Sequence, residues 1–265
     1  MKVGFIGDIV GRAGRHMVRD HLKKAREEFG LDLVIANYEN ASHGFGLTKK
    51  NGEELLSYGI EIMTGGNHTF DRGEINHFKN EIPVLIPANF PTRRKSLYSI
   101  FNIGGKRIAI LNYLGSQMMP VVSDNPFPIV DEIVNELNSD EVDYIFLDFH
   151  AETTAEKRTM FEFLKGRVSM IAGTHTHIAT DDYTFSNGTF YITDVGLTGC
   201  FDGVLGMSST VERYLTGKKS YIKVPEPNKC FKVFQMVVAD FETGDGFSYK
   251  VFEDGQTFRR DVFKI

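Results

Sequence analysis

A chain of 265 residues, 42% hydrophobic and 25% charged, is long enough to bury a sizeable core and fits one large domain or two small ones. A formal net charge of -5 gives no general attraction for a long polyanion, so an extended nucleic-acid footprint is not expected, whereas a small phosphorylated substrate remains open. Two cysteines, Cys200 and Cys230, are too few for a disulfide framework and make a reducing compartment the default. The stretch Met1 to Gly7 is broken by Asp8 too soon for a signal peptide, and no long apolar run follows. The expectation is a soluble cytoplasmic protein without membrane contact.

Val3 to Ile6 is a short apolar run ending in Gly7-Asp8, after which Val18, Leu22, Ala25 and Phe29 recur at helical spacing up to Gly30. Leu33 to Ala36 reads as the next strand, running into Asn37-Tyr38-Glu39-Asn40, with Gly44 and Gly46 loosening the loop beyond. Glu53 to Tyr58 reads as helix, and Ile60 to Met63 as a third strand opening into Thr64-Gly65-Gly66-Asn67-His68. Three such units in series imply a parallel sheet with right-handed crossovers.

Asp71 and Glu74 have the form of a capping pair, which predicts a short helix starting there. Tyr98 to Ile103 and Arg107 to Asn112 flank Gly104-Gly105, a hairpin signal. Val130, Ile133, Val134 and Leu137 mark an amphipathic helix; Tyr144 to Phe149 is an apolar strand leading to His150, and Met160, Phe161 and Leu164 mark the helix after it. Val168 to Ala172 is apolar again and leads to Gly173-Thr174-His175-Thr176-His177. Thr189 to Thr193 leads into a glycine-rich segment, 194–207, and the last part reads as an antiparallel meander of Lys232 to Phe241, Phe247 to Phe252 and Thr257 to Phe263. The fold class expected is α/β, two packed mixed sheets flanked by helices in four αββα layers, with residues 1–265 as a single domain.

Ligand-type residues stand at strand ends: Asp8, Glu39 with Asn40, Asn67 with His68, His150, and His175 with His177. In a parallel sheet those ends share one edge, so residues distant in sequence converge. Imidazoles point to zinc, iron or manganese rather than calcium, and an extended backbone would turn the rings of His175 and His177 to one side. Two carboxylates, two amides and four imidazoles exceed the four ligands of one tetrahedral zinc and suit two ions sharing a carboxylate. Each residue alone has a plainer reading: Asp8 as a helix start, Asn67 as a turn former, His150 as a core histidine, Glu39 as a solvated loop residue.

The order of motifs, Gly7-Asp8, Glu39-Asn40, Gly66-Asn67-His68, His150 and Gly173-Thr174-His175-Thr176-His177, resembles the calcineurin-like metallophosphoesterases and most closely their YmdB-like branch of bacterial cyclic-nucleotide phosphodiesterases. Val10 and Glu39-Asn40 depart from the wider superfamily, which has Asp-x-His and Gly-Asp there, but agree with that branch. The resemblance implies that Asp8, Glu39, Asn40 and His177 hold one metal and Glu39, Asn67, His150 and His175 the other, with iron favoured and manganese or zinc possible. It implies a hydroxide between the metals as nucleophile, His68 as general acid, and 2′,3′-cyclic nucleotides as substrates yielding 3′-monophosphates. Competing readings are a phosphomonoesterase or protein phosphatase on the same scaffold, a metal-dependent amidohydrolase, and a non-catalytic metal-bound regulatory protein. A purely structural site would have no use for His68.

The remaining histidines, His16, His21, His43 and His77, read as surface or packing residues, and Lys23, Lys24 and Arg26 as a solvated helix face. Arg93, Arg94 and Lys95 read as a solvated loop first and as a cluster that could help hold a phosphate second. Phe90, Tyr113, Tyr183, Phe185 and Phe201 are candidates to stack on a base, although core packing is the ordinary role of each. Cys200 reads as a buried neutral thiol. The glycines of 196–206 suggest a loop that covers the site or makes a homo-oligomer contact.

Overall fold

The apolar runs at the N-terminus set the frame. A computed structural model describes residues 1–91, 97–139, 142–208, 210–217 and 223–265; the Arg93, Arg94 and Lys95 cluster lies outside them. In chain order the elements are β1 (Lys2–Ile6), β2 (Asp8–Ile9), α1 (Gly11–Phe29), β3 (Leu33–Asn37), α2 (Lys49–Ser57), β4 (Ile62–Thr64), α3 (Ile75–Phe78), β5 (Ser99–Ile103), β6 (Lys106–Leu114), α4 (Pro126–Ser139) and β7 (Tyr144–His150). They continue with α5 (Thr154–Leu164), β8 (Met170–Thr174), β9 (Thr184–Ser186), β10 (Thr189–Ile192), β11 (Leu197–Cys200), α6 (Val211–Thr216), β12 (Lys232–Asp240), β13 (Gly246–Phe252), β14 (Thr257–Asp261) and β15 (Phe263–Lys264). Among the described residues no helix is long and apolar enough to cross a membrane.

One sheet runs β14-β13-β12-β1-β3-β4, with β11 joining β12 to β2; the other runs β15-β9-β10-β8-β7-β6-β5. β1, β3 and β4 are mutually parallel, as are β6, β7, β8 and β10, while the β12-β13-β14 meander and the β5-β6 hairpin are antiparallel. The hairpin pairs Ile103 with Lys106, so Gly104 and Gly105 form a two-residue loop; their φ of 58° and 82° are what its right-handed twist requires.

Alternation sorts each central strand between two cores. Phe5, Leu33, Ile35 and Phe146 face the space between the sheets, where the Phe5 and Phe146 rings meet edge to face at 5.0 Å. Ile6, Val34 and Ala36 face Val18, Leu22, Ala25 and Phe29 of α1, and Ile145, Leu147 and Phe149 face α4 and α5. Four layers result, with helices outside two mixed sheets, as expected.

Three local expectations are corrected. Asp71 does not cap a helix: α3 starts at Ile75, its N-cap is Glu74 with no side-chain capping bond, and the Asp71 carboxylate turns to His68. The run from Thr257 to Phe263 is not one strand, because the chain leaves the first sheet after Asp261 and joins the second at Phe263, with Val262 packed on the core between them. Cys200 is not a free thiol: it is buried at the end of β11 and bonded to Cys230, since the turn before β12 returns the chain alongside β11.

One buried ion pair ties a helix to the strand ends. Lys157 of α5 donates to Asp194 Oδ2 at 2.8 Å, both side chains being buried, and the same carboxylate accepts from the Thr176 amide, the Thr176 hydroxyl and the Gly196 amide. Lys157→Met would leave that charge buried without its cation, and should lower the unfolding free energy by about 3–5 kcal/mol. Urea denaturation checks this; a loss below about 1 kcal/mol would show that the remaining hydrogen bonds alone suffice.

Candidate metal centre

Parallel strands deliver the ligand-type residues to one edge. Asp8 follows β1, Glu39 and Asn40 follow β3, Asn67 and His68 follow β4, His150 ends β7, and His175 and His177 follow β8. Asp8, Glu39, Asn40, Asn67, His150 and His177 are buried. Close packing admits this only because Gly66 lacks a side chain: a Cβ there would run into Glu39 Oε2 and His150 Nε2.

Around His150 Nε2 stand Asn67 Oδ1 at 3.0 Å, Glu39 Oε1 at 3.1 Å and His175 Nδ1 at 3.1 Å. Around His177 Nε2 stand Asn40 Oδ1 at 3.1 Å and Asp8 Oδ1 at 3.9 Å. The carboxylate and imidazole atoms form two sets, Glu39 with His150 and His175, and Asp8 with Glu39 and His177, each within 4.8 Å of one another. Glu39 belongs to both.

The outer partners define which ring nitrogens carry hydrogen. Thr174 Oγ1 donates to Asp148 Oδ1 at 2.7 Å and so accepts from His150 Nδ1 at 2.9 Å, leaving His150 Nε2 as the inward nitrogen. His177 Nδ1 donates to the Leu205 carbonyl at 2.9 Å, and His175 Nε2 to Glu152 Oε2 at 2.9 Å. In the neutral rings, therefore, His150 Nε2 and His177 Nε2 present lone pairs to carboxylate and amide oxygens, themselves acceptors, and His175 Nδ1 presents one to His150 Nε2. Asp8 Oδ1 is buried with no hydrogen-bond partner. Lone pairs crowded on lone pairs need positive charge between them, and a cation-binding site fits these residues.

Burial and neighbouring charge shift the titration of the cluster. Burial raises Asp8 to about 6 against the opposing pull of His177 and His150. Burial alone would raise Glu39 and lower His150, but each holds the other charged, so Glu39 falls to about 2 and His150 rises to about 9; with protons alone, a hydrogen on His150 Nε2 supplies the positive charge that a bound cation would replace. His175 drops to about 3, first through burial and then through His150 beside it.

His68 lies at the mouth. Its amide donates to Glu39 Oε2 at 3.1 Å, and its ring Nδ1 pairs with Asp71 Oδ2 at 2.8 Å, which leaves Nε2 for the cavity. That cavity, about 300 Å³, is lined by Glu39, Asn40, His68, His175 and His177 together with Glu152, Leu205, Met207, Arg213 and Tyr214.

The H-x-H expectation is corrected in one respect. β8 stops at Thr174, and His175 and His177 have φ of 99° and 64°, so they are loop residues in left-handed backbone, not strand residues. Their rings therefore diverge, one toward each set. None of the five candidate stacking aromatics lines the cavity. Tyr113 and Tyr183 are buried and donate to the Leu97 and Val238 carbonyls, Phe90 packs on Phe70, Phe185 on Phe190, and Phe201 on Phe252. Sequence reasoning passed over Glu152, Arg213 and Tyr214 and read Asp71 as a helix cap. Glu152, two residues past His150 at a strand end, carried a legible signal; α6 carried none. The glycine-rich segment forms β11 and then walls the cavity through Val204, Leu205 and Met207.

Two mixed sheets with outer helices, carrying a buried carboxylate, amide and imidazole cluster at their shared strand edge, define a metal-binding hydrolase of the metallophosphoesterase class. More narrowly, the chain belongs to the family described as YmdB-like protein, whose family model matches residues 5–251. It is 42% identical over 222 residues, 82% of this chain and 83% of the relative, to a 2′,3′-cyclic-nucleotide 2′-phosphodiesterase of Bacillus subtilis. The fold is similar to a phosphatase structure from Mycoplasma pneumoniae, with a TM-score of 0.84, 30% identity, and coverage of 99% of this chain and 93% of that one. It is similar in fold to a 5′-nucleotidase from Staphylococcus aureus at a TM-score of 0.55 and 11% identity, over 99% of this chain and 54% of that one.

Gly66→Ala should leave the fold intact, since its backbone lies outside the left-handed region, while pushing Glu39 and His150 apart. The expected result is a metal content below that of the parent by elemental analysis, with an unchanged circular dichroism spectrum. Full metal content would show that the cluster can give way.

Proposed function

We propose that this protein is a metal-dependent phosphodiesterase that opens 2′,3′-cyclic nucleotides to 3′-monophosphates, working as one domain over residues 1–265. The observation that carries the reading is the convergence of lone pairs about Glu39, taken with the activity named for the 42% identical Bacillus relative. We assign Asp8, Glu39, Asn40 and His177 to one cation and Glu39, Asn67, His150 and His175 to a second. The mixed nitrogen and oxygen donors suit iron, manganese or zinc alike, and the family resemblance favours iron. Bound cations would supply Lewis acidity toward the phosphoryl oxygens and lower the pKa of an attacking water.

The chain's own groups do the rest. Glu39, buried, belongs to both sets and would be the ligand they share. Asp71 holds the His68 ring by Nδ1, so Nε2 is placed to give a proton to the ribose 2′ oxygen as its bond to phosphorus breaks. Glu152, Thr174 and the Leu205 carbonyl keep the three inner imidazoles in the orientation that presents their bare nitrogens. The cytoplasmic expectation drew on cysteines too few for a disulfide framework, and the Cys200–Cys230 bond, which a reducing compartment would not maintain, removes that support.

A ribose alkoxide leaves poorly and a nitrophenolate leaves well. His68→Ala should therefore lower the rate on a 2′,3′-cyclic nucleotide by about 10²–10⁴ and the rate on bis(p-nitrophenyl) phosphate far less. Equal losses at matched metal content would exclude a proton donor at this position. Glu39→Gln should lose most activity and both ions, because an amide lacks the shared negative charge; elemental analysis with a parallel assay of a cyclic nucleotide, a mononucleotide and a phosphopeptide reads both effects. Turnover of the mononucleotide or phosphopeptide alone would favour a phosphomonoesterase.

A further inference from the structure

Beside the metal cavity lies a second, larger cleft of about 850 Å³ that hydrolysis of a cyclic mononucleotide leaves idle. Its walls carry Arg12 from α1, Lys50 from α2 and Lys223 from the strap before β12, along with Arg15 and Arg72. Two carboxylates, Glu54 and Glu226, line it too, but Glu54 is paired with Arg15 at 2.9 Å and Glu226 with Lys229 at 3.0 Å. Arg72 is bound to the Ser42 and Phe45 carbonyls. Among the described residues Arg12, Lys50 and Lys223 are exposed and have no carboxylate partner. A chain of net charge -5 has no general surplus of cations, so three unpaired ones around one cleft constitute a local anion site.

The cleft and the metal cavity share a wall. Phe45 lines the cleft, and its ring meets the His68 ring edge to face at 5.0 Å, while His68 lines the cavity. The strap is held close: Gly11 and Gly44, with φ of 59° and 88°, take Val224 where a Cβ would clash. The cations are thus set on packed backbone one aromatic residue away from the reaction.

We propose that the cleft binds the phosphate backbone of a short RNA strand whose 3′ end, closed as a 2′,3′-cyclic phosphate, enters the metal cavity. The assignment rests on the phosphodiesterase reading and names its substrate class. A cyclic mononucleotide carries its single phosphate at the scissile position and has nothing to offer Arg12, Lys50 or Lys223. A strand continuing from the 5′ oxygen of the terminal nucleotide brings further phosphates past Phe45, and a cationic groove with an aromatic platform is how proteins hold single strands without reading sequence. The footprint is a few nucleotides, which an acidic protein can accommodate locally.

The test compares a 5′-phosphorylated RNA trinucleotide, which carries three phosphates besides the 3′-terminal one, with the corresponding mononucleotide lacking a 5′-phosphate, in binding and in turnover. Binding is measured by fluorescence anisotropy with the 3′-phosphate products, which are not turned over, and kcat/KM with the cyclic forms on metal-loaded protein. Three phosphate contacts predict a slope of log affinity against log salt of about -2 for the trinucleotide, or about a 15-fold loss between 50 and 200 mM salt. For the doubly substituted Arg12→Gln, Lys50→Gln protein the slope should fall to about -0.7, with turnover of the cyclic mononucleotide unchanged. Equal affinity for the two lengths, or a trinucleotide slope unaffected by the substitutions, overturns the proposal. Displacement of the trinucleotide by equimolar tripolyphosphate would make the cleft a site for free polyphosphate and overturn the strand assignment. Should metal-loaded protein bind the trinucleotide as expected yet turn over neither cyclic form, the cleft stands and the phosphodiesterase reading falls. If the double substitution unfolds the protein, the wild-type salt slope and the length comparison decide alone.

Discussion

Burial of the Glu39 carboxylate at the meeting edge of two sheets is the constraint on which the rest of this structure depends. A lone carboxylate in that position would be strongly disfavoured, and everything about it is arranged to supply compensating charge. His150 lies 3.1 Å away on one side, the His68 amide donates from the rim, and Asp8 with His177 completes the second set. The cluster gathers acceptors more densely than protons alone can satisfy, as the unpartnered Asp8 Oδ1 shows. A protein that invests its most buried polar positions this way has a cation as the natural complement.

Beneath the cluster is a layer that does not touch a substrate. Asp148, wholly buried on β7, accepts from Asn37, Thr64 and Thr174, so the ends of β3, β4 and β8 are tied to one carboxylate. Thr174 passes that constraint to His150. Asp194 does the same for the loop carrying His175 and His177, with Lys157 neutralising it from α5. Because both sheets contribute, a small slide of one against the other would misplace ligand groups on both sides. The interlocked Phe5 and Phe146 rings and the apolar layer around them therefore bear on the site as well as on stability.

The rim has a different character. Arg213 and Tyr214 on the short α6, and Val204, Leu205 and Met207 in the segment after β11, wall the cavity with exposed or half-exposed side chains. The Cys200–Cys230 bond brackets this whole stretch, joining the strand before it to the turn after it. Rigid strands present the ligand groups and looser connections face the substrate, the usual division between scaffold and recognition.

Much of this was legible in the sequence, and the physical reason is local. Strands buried on both faces must be apolar runs, so Val3 to Ile6, Leu33 to Ala36 and Tyr144 to Phe149 announce themselves, and polar residues directly after such runs belong to one sheet edge. That logic groups Asp8, Glu39, Asn40, Asn67, His68, His150, His175 and His177 from their positions in the chain alone. What it could not provide was anything set by contacts across the fold. Backbone sign at His175 and His177 is imposed by the loop's anchorage on Asp194 and Asp8, so spacing alone gave the wrong ring directions. Asp71 has the spacing of a cap, yet the nearness of the His68 ring decides its partner. Cys200 and Cys230 are 30 residues apart and become neighbours only through the pairing of β11 with β12. Periodicity and composition act residue by residue along the chain and thus determined the elements and the edge on which chemistry would lie; tautomers, cation-lined clefts and pairings depend on distances between segments, and those exist only once the two sheets have packed.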